Sequence, residues 1–297
     1  MITKTVMIAL VGRPNVGKST LVNALVGEKI AIVSPKPQTT RNRIFGIAER
    51  GETQLVFLDT PGFHKARTKL GDYMVSVSEQ SVGDVDAVCL IVEPKANIGT
   101  QEALLIERIR AAGVPAVLAI NKIDTVKKEE LLAVIATYAA AYDFAAVVPI
   151  SAKKQDGLDI LFDEFEKFAE EGPQLFPDDM VTDQPERLMC AEIVREKLLL
   201  SLESEVPHGT AVEIESFRER EDGVTEIGAV IYCEKASHKG MIIGRNGDML
   251  KRVGEMARRD MEGLLGGKVF LQTWVRVKPN WRDSGANLRT LGYTNEG

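Results

Sequence analysis

Short runs of valine, isoleucine and leucine alternate with helical stretches over the first 170 residues of this 297-residue chain. Most of these runs are not interrupted by polar residues, which is typical of strands covered on both faces. Strands that alternate with helices at this spacing form a mostly parallel sheet. The pattern therefore predicts an α/β domain over residues 1–170. Its predicted strands are 6–11, 43–48, 54–58, 87–92, 116–120 and 146–150, and its predicted helices are 18–26, 68–82, 100–112, 127–141 and 158–169.

The texture of the sequence changes after this region. Residues 171–187 contain glycine, several prolines and acidic side chains, a composition that indicates a linker. Residues 188–282 then follow the order α-β-β-α-α-β, with a helix over 188–203, strands over 211–220, 225–234 and 269–277, and two helical pieces around 244–247. We expect a second, α+β domain here, a polar and loosely held segment after Pro279, and a C-terminal tail over residues 283–297.

Composition and charge narrow the class of protein. The three cysteines are far apart in sequence, which argues against a disulfide framework or a zinc site. The chain has no apolar run of the length that a transmembrane helix needs and no pattern typical of a signal peptide, so we expect a cytoplasmic protein. The net charge is −6, yet residues 235–297 contain 12 basic and 6 acidic side chains. This local excess of basic side chains indicates an anion-binding surface in the second domain.

A glycine-rich loop follows the first predicted strand and opens the first predicted helix. Its sequence, Gly-Arg-Pro-Asn-Val-Gly-Lys-Ser, has the spacing of a phosphate-binding loop, in which backbone N–H groups face phosphate oxygens. In such a loop the Lys18 ammonium reaches the β- and γ-phosphates, and the Ser19 hydroxyl binds Mg²⁺. The predicted phosphate-binding residues are Gly12, Arg13, Pro14, Asn15, Val16, Gly17, Lys18, Ser19 and Thr20.

Asp59 and the three residues after it follow another predicted strand. A carboxylate at this place can hold Mg²⁺ through water, and the Gly62 N–H can meet the γ-phosphate. Taken alone, the tetrapeptide would be an ordinary turn. Together with the glycine-rich loop, it predicts a nucleotide site that includes Asp59, Thr60, Pro61 and Gly62.

Two further segments at strand ends point to the base of the nucleotide. The Asp124 carboxylate only accepts hydrogen bonds, so it suits a base edge with two donors, which guanine presents and adenine does not. A backbone N–H near Ser151 could meet the guanine O6 atom. The pattern therefore favours GTP over ATP. The predicted base-recognition residues are Asn121, Lys122, Asp124, Ser151, Ala152 and Lys153.

These four segments resemble those of translation-factor-related GTPases with a Ras-like fold. The resemblance implies a first switch loop over residues 32–41, where Thr39 or Thr40, with Thr40 preferred, supplies a hydroxyl to Mg²⁺ besides Ser19 and Asp59. It also implies that Lys18, Thr40, Gly62 and the residue after Gly62 act in GTP hydrolysis. That residue is Phe63, where Ras-like enzymes have a glutamine that orients water, so we expect slow intrinsic hydrolysis. Asn15 is similar to the loop residue of relatives that use K⁺.

The second domain contains a Gly-x-x-Gly sequence between its two predicted helices. Glycines let the main chain approach phosphates, and cationic side chains lie on both sides. In this element order, the loop resembles that of a KH domain of the second topology, which clamps about four single-stranded nucleotides. We expect Trp274 in the core and leave Trp281 open. The predicted RNA-binding residues are Lys239, Ile242, Ile243, Gly244, Arg245, Asn246, Gly247, Lys251 and Arg252.

A Ras-like GTPase domain followed by a KH domain resembles the bacterial Era family of GTPases. The runs Gln38-Thr39-Thr40-Arg41 and 192–197, Glu-Ile-Val-Arg-Glu-Lys, also resemble that family. The resemblance implies a GTP-hydrolysing switch that binds the 16S ribosomal RNA near its 3′ end during 30S subunit assembly. It also implies peripheral association with the inner face of the cell membrane, and we expect a monomer. The alternative is an RNA chaperone whose nucleotide site senses the GTP/GDP ratio, with incidental turnover.

Overall fold

A computed structural model of the chain describes residues 2–62, 68–80, 85–203 and 206–293. The chain forms two compact units. Unit 1 contains Met1–Ala31, Thr40–Lys65 and Met74–Asp183. Unit 2 contains Gln184–Gly297 together with two short segments from the first half of the sequence, Ile32–Thr39 and Ala66–Tyr73. Part of the predicted first switch loop therefore belongs to the same unit as the C-terminal half of the chain.

The sheet of unit 1 has the spatial strand order β2-β3-β1-β4-β5-β6. All pairings along this order are parallel except β2 with β3, which confirms the predicted α/β class and its mostly parallel sheet. Strands β3, β4 and β5 are buried over their whole length, and β1 over its C-terminal half, because helices cover both faces of the sheet. The strands are β1 (Lys4–Val11), β2 (Ile44–Arg50), β3 (Thr53–Asp59), β4 (Ala87–Val92), β5 (Ala116–Ile120) and β6 (Ala146–Pro149).

Glycines mark the ends of several helices in unit 1. Gly27 and Gly113 follow the first and third helices in the left-handed conformation, in which each donates its N–H to a carbonyl of the preceding turn. The predicted helix 100–112 is observed without change because Gly99 and Gly113 bound it. The helices of the first 170 residues are α1 (Lys18–Val26), α2 (Lys69–Gln80, of which Lys69–Tyr73 belongs to unit 2), α3 (Thr100–Ala112), α4 (Lys128–Ala139) and α5 (Leu158–Glu166).

Much of the predicted linker lies against the sheet of unit 1. The short strand β7 (Glu170–Glu171) pairs with β1, and Thr182 forms a bridge with Gly46 of β2. The Gln54 side chain, which is fully buried, accepts hydrogen bonds from the N–H groups of Leu175 and Phe176, each at 3.0 Å. These contacts order the chain up to Asp183.

Unit 2 has the element order α-β-β-α-α-β that the sequence predicts. Its three-stranded sheet has the spatial order β10-β9-β8, in which β8 and β9 are antiparallel and β9 and β10 are parallel. Helices cover one face of this sheet and form a single apolar core with it. The elements are α6 (Glu186–Ser201), β8 (Ala211–Glu219), β9 (Thr225–Cys233), α7 (Ala236–Ile243), α8 (Asp248–Leu265), β10 (Val269–Val277) and α9 (Gly285–Thr290).

Two expectations about the end of the chain are wrong. Trp274 is 43% exposed, because it lies on the face of β10 opposite the helices, where its ring approaches Gly228. The segment after Pro279 is not loosely held up to residue 293. Trp281 is fully buried and donates its indole N–H to the Gly209 carbonyl at 2.9 Å, and Tyr293 stacks on its ring at 6.1 Å. Among the described residues, no helix is long and apolar enough to span a membrane.

Candidate functional site

The glycine-rich loop folds so that it surrounds the Lys18 side chain. Gly17 adopts a φ of 104°, a region that favours glycine, and any Cβ there would collide with the Asn121 amide. The Lys18 ammonium donates to the Gly12 and Arg13 carbonyls, both at 3.1 Å, and burial lowers the pKa of Lys18 to about 8. A cation that is largely withdrawn from water at the start of α1 is suited to receive phosphate oxygens.

Three oxygen-bearing side chains meet beside this loop. The Ser19 hydroxyl lies 2.7 Å from the Thr40 hydroxyl and donates to Asp59 Oδ2 at 2.7 Å, while Thr40 donates to the same oxygen at 3.2 Å. Burial raises the pKa of Asp59, and its Oδ1 atom is buried with no hydrogen-bond partner. A buried carboxylate oxygen without a partner and two hydroxyl groups form a donor set that suits Mg²⁺.

The structure separates the two candidate threonines. The Thr39 hydroxyl lies 2.7 Å from the Ser34 hydroxyl and donates to the Lys36 carbonyl at 2.7 Å, so it is bonded within its own loop. Only Thr40 of the pair lies beside Ser19 and Asp59. The geometry therefore favours Thr40 as the metal ligand.

The segment after Asp59 lies close to the glycine-rich loop. Thr60 is buried and donates to the Leu10 carbonyl at 3.0 Å. Pro61 is buried, and a Cβ added at Gly62 would lie 2.9 Å from the Pro14 backbone and 3.1 Å from the Lys18 ammonium. Gly62 is thus within reach of any group that Lys18 binds. The predicted catalytic residue Phe63 and its neighbour His64 lie outside the described residues.

The predicted base-recognition residues come together at the ends of β5 and β6. Asn121 joins two loops, because it donates to the Val16 carbonyl at 2.8 Å and accepts the Ala152 N–H at 3.0 Å. Asp124 is exposed, and a hydrogen bond of 2.6 Å from the Ser151 hydroxyl lowers the pKa of its carboxyl. This hydrogen bond holds the ionised Asp124 carboxylate, a hydrogen-bond acceptor, at the exposed edge of the site. The predicted residue Lys153 is exposed at the same edge.

Glu93 is a site residue that sequence reasoning missed. Its carboxylate accepts hydrogen bonds from Arg13 at 2.5 Å and from Lys122 at 2.7 Å, and Lys122 also donates to the Asn15 carbonyl at 2.6 Å. Burial opposes its ionisation, but hydrogen bonds from Lys122 and Lys95 lower the pKa of Glu93 to about 2. Glu93 thereby ties the glycine-rich loop to the base-recognition segment. Its position directly after β4 was the one available signal.

Arg13 is turned towards acidic side chains of the protein. Its guanidinium pairs with Glu93 and, at 2.9 Å, with the mostly buried Glu102 of α3. The side chain of Arg13 therefore attaches the glycine-rich loop to Glu93 and Glu102, and the backbone of Arg13 is the part that can face phosphate.

In unit 2, two glycines bound a sharply turned loop between α7 and α8. Gly244 and Gly247 have φ values of 76° and 83°, and Asn246 between them has a φ of 52°. A Cβ at Gly244 would lie 2.6 Å from the Met249 Cβ, so both the conformation and the space require glycine there. The loop lies directly before the first turn of α8, and the first N–H groups of a helix have no partner within the helix and can meet phosphates.

The side chains around this loop are largely available to a ligand. Among the predicted RNA-binding residues, Lys239, Arg245, Asn246, Lys251 and Arg252 are exposed and Ile243 is half-buried. Ile242 is a correction, because its side chain is fully buried in the core of unit 2 and cannot contact bases. It points inward because α7 packs on the sheet through this residue. The large side chain of Met241, on the same helix, is 56% exposed.

Comparison with known proteins finds a matching family for each of the two units. The family described as "50S ribosome-binding GTPase" matches residues 7–122, and the family described as "KH domain" matches residues 205–282. The chain is 51% identical to the GTPase Era of Ruminiclostridium cellulolyticum over 98% of its own length and 97% of that protein. It is 48% identical to the GTPase Era of Clostridioides difficile over 99% of both chains. The chain belongs to the GTPase Era family.

Solved structures of the Era family share the same fold over almost the whole chain. A crystal structure of Era in complex with MgGDPNP and nucleotides 1506–1542 of 16S ribosomal RNA matches with a TM-score of 0.95 and 36% identity, covering 98% of this chain and 99% of that one. A structure of an Aquifex aeolicus Era variant bound to GDP·AlF₄⁻ matches with a TM-score of 0.94 and 37% identity over the same shares. As a member of the Era family, the chain is a GTPase.

The position of Asp124 leads to a test of base specificity. In Asp124→Asn, the side chain keeps its shape but presents a donor to guanine, so we expect GTP affinity to fall about 100-fold, the equivalent of about 2.7 kcal/mol. Affinity for xanthosine triphosphate should rise, because its base presents an acceptor at the matching position. Competition binding with both nucleotides measures this exchange. Asp143→Asn, an exposed site in the same unit, is the control, and an unchanged preference for GTP in Asp124→Asn would remove Asp124 from base recognition.

Proposed function

We propose that this chain binds GTP and GDP with Mg²⁺, hydrolyses GTP, and uses the Gly244–Gly247 loop to bind the 3′ end of 16S ribosomal RNA during assembly of the small ribosomal subunit. The observation that carries the proposal is the presence on one chain of the Ser19, Thr40 and Asp59 cluster beside Lys18 and of an exposed glycine-bounded loop. The complex of the relative with MgGDPNP and 16S ribosomal RNA supports both halves.

In the proposed nucleotide site, two positive charges and one backbone N–H group bind the phosphates. Mg²⁺, held by Ser19 and Thr40 and faced by the Asp59 Oδ1 atom, would neutralise charge on the phosphates. Lys18 supplies a second, desolvated positive charge, and because Gly62 lies beside the Lys18 ammonium we expect its N–H to donate to a γ-phosphate oxygen. Loss of the γ-phosphate removes the ligand that orders residues near Thr40 and Gly62. Hydrolysis therefore changes the loops rather than the sheet.

Phe63 leaves the attacking water without the side-chain partner that Ras-like enzymes provide. We expect a monovalent cation near Asn15 to contribute the missing positive charge, so GTP turnover should be about tenfold faster in K⁺ than in Na⁺ at equal ionic strength. Phosphate release measured in the two buffers tests this expectation. Asn15→Ala should abolish the difference, and equal rates for the unaltered protein would exclude a role for K⁺.

The proposed RNA function is tested by direct titration. The probe is a single-stranded RNA with the sequence of the 3′ end of the small-subunit ribosomal RNA, titrated with a GTP analogue, with GDP and without nucleotide. We expect tighter binding with the GTP analogue. We also expect the affinity to weaken steeply between two salt concentrations, because each phosphate contact releases a counterion. No binding in any state would overturn the RNA function.

Phe63 also favours an alternative function, in which the chain is an RNA chaperone whose nucleotide site senses the GTP/GDP ratio and turnover is incidental. Strand-annealing assays with a variant that binds but does not hydrolyse GTP distinguish the two. Full activity of that variant over many cycles supports the chaperone, whereas arrest after one binding event supports the hydrolytic switch.

The family resemblance extends the proposal to the cellular context. We propose a cytoplasmic monomer that associates with the 30S subunit and, peripherally, with the inner face of the cell membrane. Co-sedimentation with purified 30S subunits and flotation with anionic lipid vesicles test the two associations separately. Light scattering tests the monomer.

A further inference from the structure

The sequence 192–197, Glu-Ile-Val-Arg-Glu-Lys, has no role in either site described above, yet three of its charged residues are buried. Arg195, Glu196 and Lys197 are 0%, 3% and 8% exposed. Buried charges are costly unless they are paired and hydrogen-bonded. Their partners therefore indicate what this stretch of α6 holds in place.

Two of these residues hold the backbone of the segment Ile32–Thr39, which belongs to unit 2. The Glu196 carboxylate accepts the Val33 N–H at 2.9 Å, and the Arg195 guanidinium donates to the Thr39 carbonyl. Between them, the Lys36 ammonium donates to the Leu202 carbonyl at the end of α6. The segment is thus attached to one helix at its beginning, middle and end.

Arg195 is itself fixed in orientation. Glu192, one turn earlier on α6, accepts a hydrogen bond from Arg195 Nε at 2.7 Å and pairs with a second nitrogen of the same guanidinium. Burial would lower the pKa of Arg195, but the charges of Glu192 and other neighbours raise it, so the guanidinium stays ionised. The same Nη2 nitrogen that pairs with Glu192 also donates to the Thr39 carbonyl, so the contact with Glu192 fixes the direction of that hydrogen bond.

The same cluster extends to the helix that follows the RNA loop. Lys197 donates to Glu196 and to Asp260 of α8, each at 2.6 Å. Helix α8 begins at Asp248, directly after Gly247. A continuous series of charged contacts therefore runs from the Val33 N–H through Glu196, Lys197 and Asp260 to the helix whose first turn adjoins the RNA loop.

The residue after the held segment is Thr40, whose hydroxyl lies beside Ser19 and Asp59. From these contacts we propose that Arg195 and Glu196 are positioning residues that hold the segment Ile32–Thr39 on α6 and thereby couple the nucleotide at Thr40 to the RNA loop at α8. The proposal rests on the proposed function, because coupling requires that both ligands bind. Glu196 is the central member, since it touches both the segment and Lys197.

The test measures the ratio of RNA affinities with the GTP analogue and with GDP, using the 3′-end RNA probe. In Glu196→Gln the amide oxygen can still accept a hydrogen bond, but the charge that holds Lys197 is lost. We expect this ratio of RNA affinities to fall about tenfold, towards 1. The affinity of the variant for GDP should stay within about twofold of that of the unaltered protein. Arg195→Met should have the same effect through the Thr39 end. Glu203→Gln, an exposed neutralisation just beyond α6, is the matched control and should keep the ratio of the unaltered protein.

Hydrogen exchange provides a readout that does not depend on RNA. We expect backbone amides of residues 32–39 to exchange about tenfold faster in Arg195→Met, which loses the contact with the Thr39 carbonyl, than in Glu203→Gln, with unchanged protection in β9 as evidence that unit 2 is folded. If the unaltered protein binds RNA more tightly with the GTP analogue than with GDP, and both substitutions leave this difference unchanged, the positioning role alone is overturned. A ratio of 1 in the unaltered protein would overturn the proposed switch and the coupling together.

Discussion

Lys18→Ala is expected to lose at least about 100-fold in affinity for both GTP and GDP. The ammonium of Lys18 is buried, its pKa is lowered to about 8, and its only described hydrogen bonds are to the Gly12 and Arg13 carbonyls. Charge-assisted hydrogen bonds contribute about 1.5–3 kcal/mol each, and a bound nucleotide offers at least two phosphate oxygens to this cation. Isothermal titration with each nucleotide measures the loss.

The fold of unit 1 should survive this substitution. Lys18 lies at the first position of α1, where alanine is a good helix former, and the hydrogen bonds described for its ammonium go to backbone carbonyls of the glycine-rich loop. Lys128→Ala, at the exposed start of α4, removes the same charge away from the site and serves as the control. Nucleotide affinity within threefold of the unaltered protein in Lys18→Ala would remove Lys18 from phosphate binding.

The second large effect is expected in the loop of unit 2. The double substitution Arg245→Asp and Asn246→Asp should weaken binding of the 3′-end RNA probe about 100-fold, the equivalent of about 2.7 kcal/mol. It removes one cation and places two carboxylates where phosphates would pass, and juxtaposed like charges cost several kcal/mol. Both side chains are exposed, so neither contributes to the core. Gly244 is the wrong place for such a test, because any side chain there would clash with Met249.

The control for the loop variant has the same change of charge at Lys127 and Asn97, both exposed, both substituted by Asp and both outside unit 2. GTP affinity should be the same in the loop variant and in the unaltered protein. The dependence of RNA affinity on salt should also become shallower, by about one phosphate contact. RNA affinity and salt dependence that both survive the double substitution would show that RNA binds elsewhere.

The nucleotide site was accessible to sequence reasoning because of the sheet. Parallel strands end at the same edge, so loops after β1, β3, β5 and β6 had to be neighbours whatever their separation in sequence. The metal cluster illustrates this, since Ser19 and Asp59 are 40 residues apart yet lie 2.7 Å from each other. Strand β4 and helix α3 kept their predicted bounds because an apolar run and two glycines define them.

The site residues that the sequence did not predict are defined by contacts with residues distant in sequence, which a local sequence pattern does not indicate. Glu93 follows β4 as a single acidic residue, and only the fold shows that Arg13 and Lys122 converge on it. Arg195 and Glu196 occur in a helical sequence where charged residues normally face water, so their burial against residues 32–39 was not predictable from periodicity. The sequence predicts Trp274 in the core, but it lies on the face of β10 opposite Val269 and Val275 and is 43% exposed.

The contacts of residues 170–183 have a consequence for how the chain avoids self-association. Strand β2 is the last strand on its side of the sheet, and an open strand edge pairs readily with a second molecule. Here the Ile47 N–H donates to the Val181 carbonyl at 2.9 Å and the Phe45 N–H to the Asp183 carboxylate at 3.2 Å, so the edge is already engaged. A fragment that ended at residue 170 would uncover these donors together with the Gln54 amide, and would be prone to aggregate through β2.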